Sequence, residues 1–123
     1  MEKSQKYYLS LLILMMYTNL LSQVNCNIID DKNCKKSCET VKSASEHQGF
    51  SVSQEAFDLA IKLCPKNDEA YLGKSIPYLK RGDFITWKRL IDKAVELNPR
   101  MNLGYRGWCR YQFLRDYKGA ITD

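Results

Sequence analysis

Histidine is almost absent from this chain of 123 residues, which holds one histidine and three prolines. The single histidine, His47, provides no His pair for a zinc site, and no nucleophile nearby marks a catalytic base. The sequence also lacks a Gly-rich phosphate loop, a G-x-S-x-G elbow and an H-E-x-x-H motif. These absences predict a protein that is not an enzyme and that holds no metal and no cofactor.

Dense positive charge is missing as well. The formal net charge is +5 and the pI is about 8.9, which is only mildly basic. A nucleic-acid binder normally concentrates Lys and Arg on one face, so we expect no nucleic-acid partner. The length suits one small domain.

The first 25 residues resemble a targeting segment rather than part of a fold. Lys3 and Lys6 precede a mostly apolar run of 15 residues, 7–21, after which the sequence turns polar. A membrane-spanning helix needs about 20 apolar residues, so the run is short for a span. We predict a signal peptide over 1–25, cleaved within 22–25, and hence an exported protein of the periplasm or cell envelope, or a secreted one. An uncleaved N-terminal anchor, which would be the only membrane contact, and lipidation of Cys26 are the alternatives.

Sustained β alternation and low-complexity tracts are absent too, and helical periodicity dominates. After a linker over 26–33, the pattern predicts helices near 35–47, 53–63, 68–81, 84–97, 102–114 and 117–123. Asp31 or Asn33 is expected to cap the first helix, and Ser51 with Gln54 forms a potential capping box for the second.

Two of these segments carry nearly the same sequence 34 residues apart. Residues 57–65 read FDLAIKLCP and residues 91–99 read IDKAVELNP, so that Asp, Ala, Leu and Pro recur at identical offsets. Tyr71 and Tyr105 have the same separation. A period of about 34 residues in a helical pattern is typical of helix-turn-helix repeats.

In its details the repeat resembles the tetratricopeptide repeat (TPR) family. The matching residues of the central repeat, 68–101, are Tyr71, Ser75, Tyr78, Gly82-Asp83-Phe84, Ala94 and Pro99. Residues 34–67 resemble a degenerate repeat, and residues 102–123 a truncated one. The resemblance implies an all-α solenoid of antiparallel helix pairs, with about 2.5 repeats. A Sel1-like or other α-solenoid repeat is the alternative fold.

Two residues depart from the family pattern. Trp87 stands where the family prefers a small alanine, so we expect helices A and B of that repeat to separate or tilt locally. Pro77 lies inside a predicted helix, where it removes a backbone hydrogen bond and predicts a kink near 73–77.

The five cysteines are Cys26, Cys34, Cys38, Cys64 and Cys109. Export predicts an oxidising environment in which disulfides persist, and an odd number leaves at least one thiol outside an intramolecular bridge. The TPR resemblance implies that Cys34 or Cys38 lies near Cys64, so that either pair is a disulfide candidate. Buried free thiols, or a metal or redox role, are the alternatives. Cys109 is expected to be a small core residue.

In TPR proteins the A helices line a concave binding face. The resemblance places the following side chains there: Lys35, Lys42, Leu72, Ile76, Leu79, Lys80, Arg106, Arg110 and Phe113. It implies an apolar floor with basic rims that takes a protein or peptide, preferably acidic. A solvated cationic face without a partner is the alternative.

We therefore expect a non-enzymatic protein-binding scaffold. Two other functions are considered: a structural or assembly subunit that self-associates through its uncapped C-terminal end, and an accessory domain of a longer protein.

Overall fold

The computed structural model describes residues 25–123, which contain helices and no strand. The predicted signal peptide lies outside the described residues, apart from Asn25. The six α-helices are α1 (Lys32–Ala44), α2 (Ser51–Leu63), α3 (Asp68–Lys80), α4 (Phe84–Leu97), α5 (Pro99–Cys109) and α6 (Tyr117–Thr122). The prediction of an all-α chain is confirmed for this part of the sequence.

Aspartate caps begin three of the helices. A side-chain oxygen of Asp31 accepts a hydrogen bond from the Cys34 N–H at 2.7 Å, and Asp83 and Asp116 cap α4 and α6 in the same way. Each cap satisfies one of the backbone donors that the first turn of a helix leaves unpaired.

The predicted capping box at Ser51 is wrong. Helix α2 begins at Ser51 itself, its N-cap is Phe50, and no side chain caps it. The Gln54 side chain instead donates to the carbonyl of Gln48 at 2.8 Å, outside the helix.

Glycine and proline set the boundaries between α3, α4 and α5. Gly82 has a φ of +79°, a left-handed conformation that glycine adopts without steric cost, and it forms the turn between α3 and α4. The predicted helices 84–97 and 102–114 leave Pro99 in the connection between them. It is the first residue of α5 instead, because that position needs no N–H donor, and α5 therefore starts three residues earlier than predicted.

Two connected clusters of buried side chains form the core. Val41, Ala44, Phe57, Ala60 and Ala70 join α1 and α2 to α3. The second cluster joins α3 to α4 and α5, and consists of Leu79, Trp87, Ile91, Ala94 and Cys109. Since α3 contributes to both clusters, consecutive helices pack in a continuous, repeat-like series.

The Trp87 side chain is 1% exposed in the second cluster. Its indole nitrogen finds no hydrogen-bond partner among the described residues. The large ring is thus placed entirely within the packing of α3, α4 and α5, at the cost of one unpaired N–H group.

Two disulfides fasten the N-terminal part. Cys34 bonds to Cys64 with a Cα–Cα distance of 4.8 Å, and Cys26 bonds to Cys38 with a Cα–Cα distance of 5.7 Å. The first pair is one of the two that the resemblance implied. The second was not foreseen, and it attaches the start of the segment 26–33 to α1. Cys26 is 5% exposed within a 3₁₀ turn, and its sulfur is engaged in the bridge rather than open to lipidation.

Cys109 is a buried free cysteine, as predicted. Burial raises the pKa of its thiol, which a hydrogen bond with Tyr105 partly offsets. A buried protonated thiol is a poor nucleophile, so its position favours packing over reactivity.

Within residues 25–123, no helix has the length and apolar character required to cross a bilayer.

Candidate functional site

A groove of about 530 Å³ lies between α1 and α3. We call it the α1–α3 groove. Its lining residues are Val41, Lys42, Ser45 and Gln48 from α1 and the following loop, and Glu69, Leu72, Gly73 and Ile76 from α3.

The helical repeat of 3.6 residues builds this groove from two facing stripes. On α3, Glu69, Leu72 and Ile76 are three and four residues apart, so they lie on one face of the helix. Val41 of α1 and Ser45, the C-cap residue of that helix, are similarly spaced. Val41, Leu72 and Ile76 provide an apolar floor, and the charged side chains stand at its edge.

Gly73 brings α3 close to α2 beneath the groove. A Cβ atom built on Gly73 would lie 2.5 Å from Cε1 and 2.7 Å from Cζ of the fully buried Phe57 ring. Only glycine therefore permits this approach of α3 to α2, and the approach positions the stripe of α3 opposite α1.

Glu69 and Lys42 are the charged groups of the groove. Glu69 is half-buried and Lys42 is exposed. Burial raises the pKa of the Glu69 carboxyl, the neighbouring Asp68 raises it further, and Lys42 acts in the opposite direction. Among the described residues, no cationic side chain lies within salt-bridge distance of Glu69.

A second cavity, of about 330 Å³, adjoins the groove at Glu69. We call it the disulfide cavity. Its lining residues are Ile29, Cys34, Cys38, Cys64, Lys66, Asn67, Asp68 and Glu69. Since Glu69 lines both spaces, the two cavities follow one another along α1 and α3, with this carboxylate at their junction.

The structure brings together three of the nine predicted concave-face residues. Lys42, Leu72 and Ile76 line the α1–α3 groove. Lys35 and Lys80 lie outside its lining, on α1 and at the end of α3. Leu79 is only 4% exposed and lies in the second core cluster rather than in the groove lining.

The two predicted arginines are engaged within the protein. Arg106 donates from Nη1 to Asp92 at 2.9 Å and from Nε to Asp123 at 2.9 Å. Arg110 lies 3.0 Å from Asp123 and also donates to the carbonyl of Gly119 at 3.1 Å. Both predicted binding residues thus make intramolecular contacts with acidic side chains, and neither lines the α1–α3 groove.

The arginine contacts also fix the charge of Asp123. Its hydrogen bond with Arg106 holds the pKa of the Asp123 carboxyl below its usual value, and Arg110 contributes. The side chain of Asp123, directly after α6, is 2% exposed. Its ion pair with Arg106 fastens α6 to α5, and Arg106 also pairs with the partly exposed Asp92 of α4.

Phe113 belongs to a different surface, at the opposite end of the helical series. Its ring meets Trp108 edge-on with centroids 5.6 Å apart, and Tyr111 meets Tyr117 at 5.7 Å. A cleft of about 450 Å³ lies among Gly107, Trp108, Tyr111, Tyr117, Ala120 and Ile121. We call this the aromatic surface.

Five groove residues are not among the nine predicted side chains: Val41, Ser45, Gln48, Glu69 and Gly73. Val41 is four residues before Ser45, and Gly73 is four residues after Glu69, so this helical spacing was the available signal. Gln48 lies beyond α1, where the helical period no longer applies.

In residues 25–123, no three His, Cys, Asp or Glu side chains are grouped so that they could hold a metal ion.

Comparison of the chain with protein-family models, with curated proteins and with solved structures finds no match.

Proposed function

We propose that this chain is a TPR-like module of an exported protein, and that it binds a peptide in the α1–α3 groove without catalysing a reaction. The observation that carries the proposal is the groove itself. It has an apolar floor on two successive first helices of the repeat, with a few polar groups at its edge. Small binding sites have this composition, and their volumes are typically about 300–1,000 Å³.

The repeat period supports the TPR-like part of the proposal. Asn102 donates a hydrogen bond to Asp68 at 2.7 Å, and the two residues are 34 positions apart. Helices at equivalent places in successive repeats thus adjoin at their N-terminal ends, which is what stacking of like units requires.

The two disulfides support export. Such bridges persist in oxidising compartments and are rare where thiols are kept reduced. With the N-terminal segment predicted from the sequence, they favour the periplasm, the cell envelope or the extracellular space.

Selection of peptides on the exported, disulfide-bonded chain tests the proposal. A library of random linear peptides is enriched on the wild-type protein, and the affinity of the enriched peptides is measured by calorimetry. We expect Leu72→Glu to weaken binding at least tenfold, because the substitution places a charge on the apolar floor.

Leu59→Glu is the matched control. Leu59 lies on α2, is 47% exposed and does not line the groove. The proposal fails if no peptide is enriched, or if Leu72→Glu and Leu59→Glu bind the enriched peptides equally well.

The aromatic surface favours a second function, self-association of the chain as an assembly subunit. Trp108 is 53% exposed, Tyr111 55%, Tyr117 54% and Ile121 87%, and they surround one cleft. Contiguous exposed apolar side chains often mark protein–protein contacts, and Tyr and Trp are enriched in them.

Sedimentation equilibrium tests this second function. A dimer that forms with rising protein concentration and is lost in Ile121→Asp supports it, whereas a wild-type monomer at every concentration contradicts it. Val52→Asp is the control, since Val52 is 74% exposed on α2 and lies outside the aromatic surface.

A further inference from the structure

Glu69 has an unusual place among the carboxylates of this chain. It stands where the α1–α3 groove meets the disulfide cavity, so a ligand extending from one into the other passes it. Its neighbour Asp68 accepts a hydrogen bond from Asn102, whereas no cation pairs with Glu69 among the described residues.

A half-buried carboxylate without a partner is unfavourable in the free protein. Burial removes part of its hydration, and the attraction of Lys42 offsets this loss only in part, since the pKa of Glu69 remains raised. A cationic group brought by a ligand would pair with Glu69 in a site from which water is partly excluded. Such a pair stabilises a complex more than a pair formed at an exposed side chain.

Lys42 is the competing feature, since its positive charge would attract an acidic ligand. Its side chain is exposed, however, so water already solvates the ammonium group and screens it. The arginines that were expected to reinforce it, Arg106 and Arg110, are paired with Asp92 and Asp123. The buried side of the groove is therefore acidic.

The spacing along α3 suggests how a peptide would lie. Neighbouring side chains one helical turn apart, such as Glu69 and Leu72, have Cβ atoms about 5–6 Å apart. In an extended peptide, residues i and i+2 point to the same side and lie about 6.6 Å apart. A basic residue at Glu69 would thus place the side chain two positions along over Leu72 and Ile76.

We propose that the α1–α3 groove binds an extended peptide in which a Lys or Arg pairs with Glu69 and an aliphatic side chain two residues away packs on Leu72 and Ile76. This inference rests on the proposed function of the groove. It replaces the acidic partner expected from the sequence with a basic and aliphatic one.

Three synthetic peptides test the inference, and their binding to the full exported chain is measured by isothermal titration calorimetry. The first is acetyl-Gly-Ser-Arg-Gly-Leu-Gly-Leu-Ser-amide; the second has Glu in place of Arg, and the third has Ser in place of both Leu residues. We expect the wild-type protein to bind the first at least tenfold more tightly than either of the others at low ionic strength.

Substitutions in the protein identify the side chain that determines whether the groove prefers a basic or an acidic peptide. Glu69→Gln should remove the preference for Arg over Glu, and Glu69→Lys should reverse it. Lys42→Ala should tighten binding of the Arg peptide about twofold, since it removes an exposed rival cation. Glu55→Lys is the matched control, because Glu55 is exposed on α2 and its substitution should leave the preference unchanged.

The outcomes separate this inference from the function it rests on. In one outcome, binding of the selected peptides depends on Leu72, but Glu69→Gln and Glu69→Lys leave the charge preference unchanged. The groove then binds peptides as proposed, and only the role assigned to Glu69 is wrong. Tighter binding of the Glu peptide by the wild type, or no binding of the Arg peptide, also overturns the inference. If Leu72→Glu has no effect on any bound peptide, the proposed function fails with it.

Discussion

Asn102 and Asp68 are joined by a hydrogen bond of 2.7 Å from Nδ2 to Oδ2, across 34 residues of sequence. The same amide group lies within hydrogen-bond distance of the carbonyls of Ala94 and Asn98, at 3.1 and 3.0 Å. The Asn102 side chain is 1% exposed, so the start of α5 is fixed to both α3 and the end of α4 by one buried amide.

Asn102→Ala should therefore destabilise the protein. The substitution removes the hydrogen bond to the Asp68 carboxylate, whereas the carbonyls of Ala94 and Asn98 keep their backbone donors. Loss of a hydrogen bond to a charged group typically costs about 1–3 kcal/mol. Urea unfolding followed by circular dichroism measures the change. Met101→Ala is the control, because Met101 is 70% exposed and its substitution should stay within about 0.5 kcal/mol.

Gly73→Ala should cost about 1–3 kcal/mol, because its methyl group would overlap the buried Phe57 ring. Gly104→Ala is the matched helical control. No atom lies within 4 Å of the position of its Cβ, and alanine is the better helix former, so it should stabilise by about 0.5–1 kcal/mol. The thermal stability of both variants is compared with that of the wild type. Equal changes in stability for Gly73→Ala and Gly104→Ala would contradict the close approach of α3 to α2.

The longer disulfide should contribute more to stability than the shorter one. Cys34–Cys64 closes a separation of 30 residues and Cys26–Cys38 one of 12. In the chain-entropy model these loops correspond to about 3.7 and about 2.9 kcal/mol, respectively. Urea unfolding of the two double alanine variants, each in a Cys109→Ala background that prevents thiol exchange, should show this order.

Glu69→Gln should stabilise the protein at neutral pH and have little effect in acid. Because burial raises the folded-state pKa of Glu69 above its ordinary 4.5, the ionised group opposes folding at higher pH. This penalty decreases as pH falls through the folded pKa and is lost below the ordinary value of 4.5, where the carboxyl becomes protonated in both states. Urea unfolding should give Glu69→Gln a higher free energy of unfolding than the wild type at pH 7 but not at pH 4. The same increase at both pH values would contradict this prediction.

Asp123 should show the opposite pH dependence. Arg106 lowers its folded pKa below 3.8, so the ion network contributes its stability above that pH and loses it as pH falls through the folded pKa. The protection of α6 amides against hydrogen exchange, relative to the intrinsic exchange rate at each pH, should decrease over that acidic range. Asp123→Asn should speed the same exchange already at neutral pH, whereas Lys118→Ala, at an exposed position of α6, should not.

Much of the local structure was predictable because it depends on residues three or four apart. The bounds of α4, 84–97, agree with the prediction, since Asp83 caps it and a regular apolar stripe follows. Asp31 similarly caps α1 as expected. The capping box at Ser51 failed because the choice between two possible first turns depended on Gln54, whose side chain contacts Gln48 outside the helix.

The candidate site was predictable only in part, because it requires two helices at a known distance. Leu72 and Ile76 followed from the spacing along α3, but the same spacing also selected Leu79, which α4 and α5 cover. The arginines looked free because their partners, Asp92 and Asp123, are 14 and 17 residues from Arg106 in sequence.

By itself, the sequence determined the helical character, the turns and the repeat period, since caps, glycine conformations and apolar stripes act over a few residues. Only the tertiary structure decided that Cys34 pairs with Cys64 and Cys26 with Cys38, and that Arg106 is neutralised while Glu69 is not. Those outcomes depend on which helix faces meet, and the contact of Gly73 with Phe57 and the burial of Trp87 fix that packing.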